Sequence, residues 1–340
     1  MYLRPIRRLT EYTVFLELTT AWRFAAGSWT GATAIPAGRE FDQFDLAMPS
    51  GVLSGSSELF FFGAASTWPT INTQVPPANR TYAQVVTPFH GPGPLPRMLI
   101  GEGVYELAAD GGLSPLASLG AAQRAITGLR DGGFLAVNSA GLLSRWNNAS
   151  SSLITASIGV FQINGLAVAD DDSALLASLN QLYRVPPGSM TPQPLDAGNG
   201  VRGFISATTT PTGSVLVATQ TQVFDIGTSS ITAIAAPPGG YLGNIESACA
   251  TSDTLYVKTF SDLWARQSGQ WRRTPNVVAR LACSSSRASV VGTSWLEFLA
   301  DGGSQPLQSL PLVSSEMQPL YGADGRLWIG APAGEVLFHR

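Results

Sequence analysis

A chain of 340 residues could hold two average domains, but only 13% of it is charged, while glycine and proline number 36 and 23. That composition excludes a fold of long amphipathic helices, which need far more Glu, Lys and Leu, and suits many short strands joined by tight turns. A net charge of −3 excludes the basic footprint of a phosphate-backbone binder, and no apolar run approaches the ~18 residues that cross a bilayer, so neither a nucleic-acid partner nor a membrane span is expected.

The N-terminus begins Met1-Tyr2-Leu3-Arg4, but Glu11 and Glu17 interrupt the apolar stretch that follows, so no signal peptide is evident. Cytoplasmic synthesis is the expectation, and location is otherwise open. Residues 10–80 do not fit the repeat of the rest of the chain cleanly. Thr13-Val14-Phe15-Leu16-Glu17-Leu18 alternates partly as a strand, Ile35-Pro36-Ala37-Gly38 is a turn signal, and Leu59-Phe60-Phe61-Phe62 reads as a strand covered on both faces. This region is read as a β-rich elaboration, with a degenerate extra blade as the alternative. Pro76-Pro77 and the stiff Gly91–Pro96 loop mark the entry into a regular array.

From residue 81 to 340 one unit recurs: two large apolar residues, a small one and a polar one, a tight loop, then a second apolar strand. The first half appears at Leu99, Leu135, Leu175, Leu216, Tyr256, Val290 and Trp328, and the second at Val104, Leu143, Leu182, Val223, Leu263, Trp295 and Val336, a period of roughly 39 residues. A third strand precedes each pair, starting near Tyr82, Ala125, Ile163, Val201, Gly243, Val278 and Met317. This periodicity predicts an all-β, β-propeller fold with seven blades, eight being the alternative count. Only four residues follow Val336, too few for an outer strand. A strand from the N-terminus, Tyr2–Leu9 (within segment 1–9) or Tyr12–Leu18, is therefore expected to complete the last blade and close the ring.

The unit resembles the repeats of NHL-type, YWTD-type and two-component-regulator sensor propellers at Ser214–Thr219 with Val223-Phe224, and at Gly325–Gly330 with Val336. The resemblance covers about 260 residues. It implies architecture alone, because these residues build blades and no YWTD tetrapeptide is present.

Chemistry-bearing residues are few. His90 and His339 are the only histidines, and neither belongs to a G-x-S-x-G elbow or an H-E-x-x-H pair, so no catalytic residue is assigned. Asp170-Asp171-Asp172 reads as a solvated turn, since three adjacent carboxylates cannot all face one cation; Glu40, Asp42 and Asp45 are better spread but unrepeated, and no metal or cofactor is expected. Cys249 and Cys283 have similar surroundings and read as two small buried thiols at equivalent places in adjacent repeats. Lys258 is the only lysine among twenty basic residues, read as the coding bias of a GC-rich genome. Glu106, Arg145, Arg184, Asp225 and Glu297 share a repeat position and read as solvent-facing groups or polar pairing between blades rather than as a ligand ring.

The densest aromatic-basic cluster is Trp264, Arg266, Trp271, Arg272 and Arg273. Trp264 occupies a core repeat position, whereas Trp271, Arg272 and Arg273 fall on an outer strand; with His90 beside the Gly/Pro loop they are the candidate ligand contacts. The expected function is a non-enzymatic propeller, a structural or interaction component of a multi-subunit assembly such as a virion or phage tail, docking through residues 10–80. Its partners would be other proteins or further copies of itself. A glycan-binding propeller using Trp271, and a propeller lyase or hydrolase, are the alternatives.

Overall fold

The computed structural model describes residues 86–107, 113–160, 162–196, 201–292, 318–323 and 325–330, and beyond these only strands and their pairing within 12–62, 295–309 and 336–339. Every described regular element is a strand. Seven antiparallel sheets follow one another from 86 to 339. The first is β7–β10 (Val86–Phe89, Arg97–Ile100, Gly103–Leu107, Leu113–Ser118), and the second β11–β14 (Gln123–Gly128, Phe134–Asn138, Leu142–Asn147, Ser152–Ser157). The third is β15–β18 (Ile163–Val168, Ala174–Ser178, Leu182–Val185, Gln193–Leu195), and the fourth β19–β22 (Phe204–Thr209, Val215–Thr219, Val223–Ile226, Ile231–Ala233). The fifth is β23–β26 (Ile245–Ala250, Thr254–Thr259, Leu263–Gln267, Gln270–Thr274). The sixth is β27–β31 (Arg280–Cys283, Ala288–Val291, Trp295–Ala300, Gly303–Ser304, Gln308–Ser309), and the seventh β32–β34 (Gln318–Tyr321, Leu327–Gly330, Val336–His339).

The second strand of each unit explains the repeat. β12, β16 and β20 are buried at every residue, because each sheet has a neighbour on both faces and alternate side chains must be apolar in both directions. Phe134 and Ala136 pack toward the first sheet with Phe89, Leu99, Val104 and Trp146, while Leu135 and Val137 pack toward the third with Leu166, Val168 and Leu176. The inner strands approach closely at Gly165 on β15, where a Cβ would strike the backbone of Ala207 on the next inner strand.

The series closes on itself. Each first strand packs against the next along β7, β11, β15, β19, β23, β27 and β32, and β32 and β33 pack back on β7. Trp328 of β33 is fully buried against Met98, Ile100, Tyr105 and Leu107 of the first sheet. Of the two strands expected to complete the last sheet, Tyr12–Leu18 does otherwise: β1 (Tyr12–Glu17) pairs with β2 (Thr20–Ala25), which pairs with β3 (Ser28–Ala34). Local hairpin pairing prevails over the long-range one. Segment 1–9 lies outside the described residues. A second three-stranded sheet, β4–β6 (Phe41–Ala47, Ser50–Gly55, Leu59–Phe62), follows within 10–80.

Cys249 and Cys283 are not thiols but a disulfide, with Cα atoms 5.8 Å apart. They lie on β23 and β27, adjacent inner strands, which the closing of the ring draws together. Nor are they equivalent. The turn in which Ser284 N donates to Arg287 O matches that of Thr251 and Thr254, which aligns Cys283 with Ala250, one residue beyond Cys249.

Candidate functional site

The strand order gives the ring two unlike ends. At the exit face, where inner strands end, turns between first and second strands bond to one another: Asp170 N donates to Gly213 O at 2.7 Å, and Ser252 N to Ser285 O at 2.8 Å. At the entry face, turns between second and third strands bond instead to the connections between sheets. Leu179 N donates to Gln162 O at 3.1 Å, Phe260 N to Asn244 O at 3.0 Å, and Val277 N to Ser261 O at 2.7 Å.

The aromatic-basic cluster lies in the seam between the fourth and fifth sheets. Trp264 on β25 and Trp271 on β26 meet edge to face at 6.5 Å, and Tyr241, from the long connection 234–244, joins them at 5.9 and 5.6 Å. Arg266 lies 6.0 Å over Trp271 and Arg273 lies 5.9 Å over Trp264. Trp271 Nε1 donates to Ala235 O at 3.3 Å, pinning the connection to β26. Arg273 is also committed to Asp262, at 3.1 Å. The rings are thus engaged with one another and with guanidinium groups, and a sugar stacking on the Arg266 side of Trp271 would compete with that guanidinium. Arg272 falls on the other side of β26, exposed.

Tyr241 is the member of this cluster that the linear pattern does not announce, because it comes from another sheet's connection. Its hydroxyl is buried with no partner, and desolvation raises its pKa to about 12. Trp264 Nε1 and Arg266 Nε are also buried without partners. The geometry makes the cluster a packed seam.

His90 follows β7 on the exit face, on the far side of the sequence repeat from that seam. It is solvent-accessible yet closely surrounded by protein, and desolvation lowers its pKa below the ordinary histidine value. Among the described residues no side chain hydrogen-bonds it. His339 has no described side chain.

Of the remaining charged candidates Arg184 reaches the following sheet, whereas Glu106 and Arg145 pair within their own. Arg97, 2% exposed, donates to Glu106 at 2.6 Å on its own sheet and to Asn148 Oδ1 at 3.1 Å and Gly132 O on the next. Arg130 pairs with Asp170 and Arg184 donates to the carbonyls of Gly227 and Thr228, each again on the following sheet. Arg145 lies 3.4 Å from Asp131. Asp171 accepts from Ser173 N at 3.0 Å and from its hydroxyl, which makes the triple aspartate a braced turn. Asp225 is half-buried, and the side chain of Glu297 lies outside the described residues.

What the linear reading missed is on the entry face. Six large apolar side chains are exposed among the described residues, and five of them, Leu142, Leu179, Leu242, Phe260 and Val278, stand at that end of the ring. The sixth, Ile154, is on the outer strand β14. A signal was available: Ser178-Leu179-Asn180 and Thr259-Phe260-Ser261 place a bulky apolar residue at a turn tip where a polar one is the norm.

No protein-family model matches the sequence, and no curated protein matches it. Solved structures do match in shape. A catalytically inactive histidine-to-alanine variant of virginiamycin B lyase from Staphylococcus aureus, with quinupristin, is 13% identical over 76% of this chain and 96% of its own, with a TM-score of 0.58. The extracellular domain of a putative hybrid two-component system from B. thetaiotaomicron is 16% identical over 80% of this chain, with a TM-score of 0.62. PorZ, a surface component of the type-IX secretion system of Porphyromonas gingivalis, is 10% identical over 80% of this chain, with a TM-score of 0.58. The match spans only 39% and 38% of those last two chains. At such identities the likeness speaks to fold. With its closed series of antiparallel sheets, the chain is an all-β protein of β-propeller architecture.

Proposed function

We propose that this is a seven-bladed, non-enzymatic propeller that serves as an interaction component, presenting its entry face to a protein partner. The observation that carries the reading is the gathering of five of the six exposed large apolar side chains on that one face. An apolar side chain in water costs about 1.5–3 kcal/mol relative to burial, so several at one end of a braced scaffold favour a surface that is covered in use. The opposite end is finished with turn-to-turn hydrogen bonds and ion pairs such as Arg130–Asp170. Among the similar structures one is a surface component of a secretion system, another the extracellular domain of a two-component system and a third a lyase, so the fold alone does not choose among these roles.

A random-peptide display library selected on the immobilised full chain tests the reading. Binders should be enriched that lose retention on a Leu179→Asp/Phe260→Asp double variant and keep it on Arg287→Glu at the exit face. Enriched binders that ignore the entry-face substitutions would overturn it.

A further inference from the structure

The entry-face apolar residues are not evenly spread. Phe260 is 69% exposed, Val278 67% and Leu242 49%, and hydrogen bonds hold their three segments side by side. Phe260 N donates to Asn244 O, two residues from Leu242, and Val277 N, beside Val278, donates to Ser261 O. Phe260 is therefore the centre of a knob at the junction of the fifth sheet with both of its neighbours.

The knob is built rigidly. Thr259 N donates to Asp262 O at 2.8 Å, and Asp262 N to the Thr259 hydroxyl at 3.1 Å. Beneath it Lys258, 1% exposed, donates to the carbonyl oxygens of Thr259 and Phe260 and to Glu246 Oε2 at 3.1 Å. A fully buried ammonium directed at the carbonyl of Phe260, the most exposed aromatic among the described residues, fixes the loop. Little ordering entropy is then left for a partner to supply on docking.

The charges around the knob are one-sided. Its two carboxylates are neutralised within the fold, Glu246 by Lys258 and Asp262 by Arg273. Arg280, two residues beyond Val278, is exposed and makes no ion pair among the described residues, and Arg202 and Arg124 stand likewise at the entry ends of the fourth and second sheets. At the knob itself the surface offered is apolar with the unpaired Arg280 guanidinium, and the exposed Glu102 lies away from it, on the entry turn of the first sheet.

From this complementarity we infer that the Leu242–Phe260–Val278 knob, with Arg280 beside it, docks a segment of a partner protein in which large apolar residues are flanked by carboxylates. The inference rests on the proposed interaction role and adds the partner's chemistry. The apolar side chains cover Phe260 and Val278, and a carboxylate accepts a charge-assisted pair of hydrogen bonds from Arg280. Lys258 acts as a positioning residue, through Phe260.

The test uses the full chain and two fluorescein-labelled eight-residue peptides, one alternating aspartate with leucine and phenylalanine, the other with lysine in place of aspartate. Fluorescence anisotropy should show the acidic peptide binding about tenfold or more tighter than the basic one. Phe260→Asp and Leu242→Asp, both on exposed side chains and checked for folding by circular dichroism, should each weaken it by about tenfold or more. Arg280→Glu should reverse the preference. Equal binding of both peptides would overturn the acidic-partner inference and leave the interaction role standing. Binding of neither, or equal binding by Phe260→Asp, would overturn the knob as the site, while the display selection judges the role separately. Sedimentation of the protein with phosphatidylserine vesicles, abolished by Phe260→Asp, would overturn it in favour of a lipid surface.

Discussion

Lys258 shows how a single side chain can look like a compositional accident and be structural. The ammonium is enclosed and meets three oxygens, and Glu246, its one charged partner, keeps half its surface in water. Lys258→Met removes the donor from two loop carbonyls, and a loss of about 1–3 kcal/mol in urea unfolding is expected. Arg97 makes the same point about the chain's preference for arginine. Its guanidinium reaches Glu106, Asn148 and Gly132 at once, a fork that an ammonium cannot reproduce. Arg97→Lys should therefore cost about 1–3 kcal/mol, while Arg124→Lys, exposed and unpaired, should cost nothing measurable. Tyr241 predicts a pH dependence. Its folded pKa lies above that of an unfolded tyrosine, so the native chain holds the extra proton from about pH 10 to about pH 12 and stability should fall as pH rises through that window. Tyr241→Phe should flatten this fall without loss of stability at neutral pH, since the buried hydroxyl has no partner to lose. Composition could show that lysine is scarce. It could not show that the one lysine is buried, because its partners come from a turn and from a different strand.

At the scale of the element, the strands were legible and their edges were not. Two-sided burial writes itself into β12, β16 and β20 as an unbroken small-and-large apolar run, which is why the repeat could be counted along the chain. The first strands carry a feature with no such signature. β11, β15, β19 and β23 each skip one residue in their pairing with the second strand, at Arg124, Asn164, Ile205 and Glu246. A bulge turns its extra residue out of the ladder, and here it sends Asn164 to the carbonyl of Phe204 on the next sheet at 3.0 Å and Glu246 to Lys258. The disulfide was missed for a related reason: a difference of 34 residues says nothing of the distance between adjacent inner strands once the ring has closed. Non-reducing mass spectrometry of the denatured full chain should find no alkylatable thiol, and Cys249→Ser/Cys283→Ser should lose about 3–4 kcal/mol by the loop-closure argument. A full complement of free thiols in protein purified without reductant would contradict the disulfide. Gly165→Ala should also destabilise, because the added methyl meets the backbone of the fourth sheet and the strands must separate.

The whole molecule divides into a scaffold and a face. Trp328 buried against Met98, Ile100 and Tyr105 joins the last sheet to the first, so the closing contact comes from the repeat itself. The stretch expected to intervene, Tyr12–Leu18, pairs in its own hairpin. Because the sheets are joined all round, the turns at the two ends are held in place, and the two ends differ in chemistry: polar and mutually bonded at the exit, apolar at the entry with Arg280 beside the most exposed cluster. The architecture was readable because a 39-residue period has few physical solutions. The face was not, because Leu142, Leu179, Leu242, Phe260 and Val278 are scattered over 137 positions of sequence and become one surface only when the ring assembles. The most direct test of the account is hydrogen–deuterium exchange of the full chain with and without a binder taken from the display selection. Protection is predicted in the entry-face segments 139–142, 179–181, 241–244, 259–262 and 276–279. Protection confined to the exit-face turns 130–133, 170–173, 210–214 and 284–287 would contradict it.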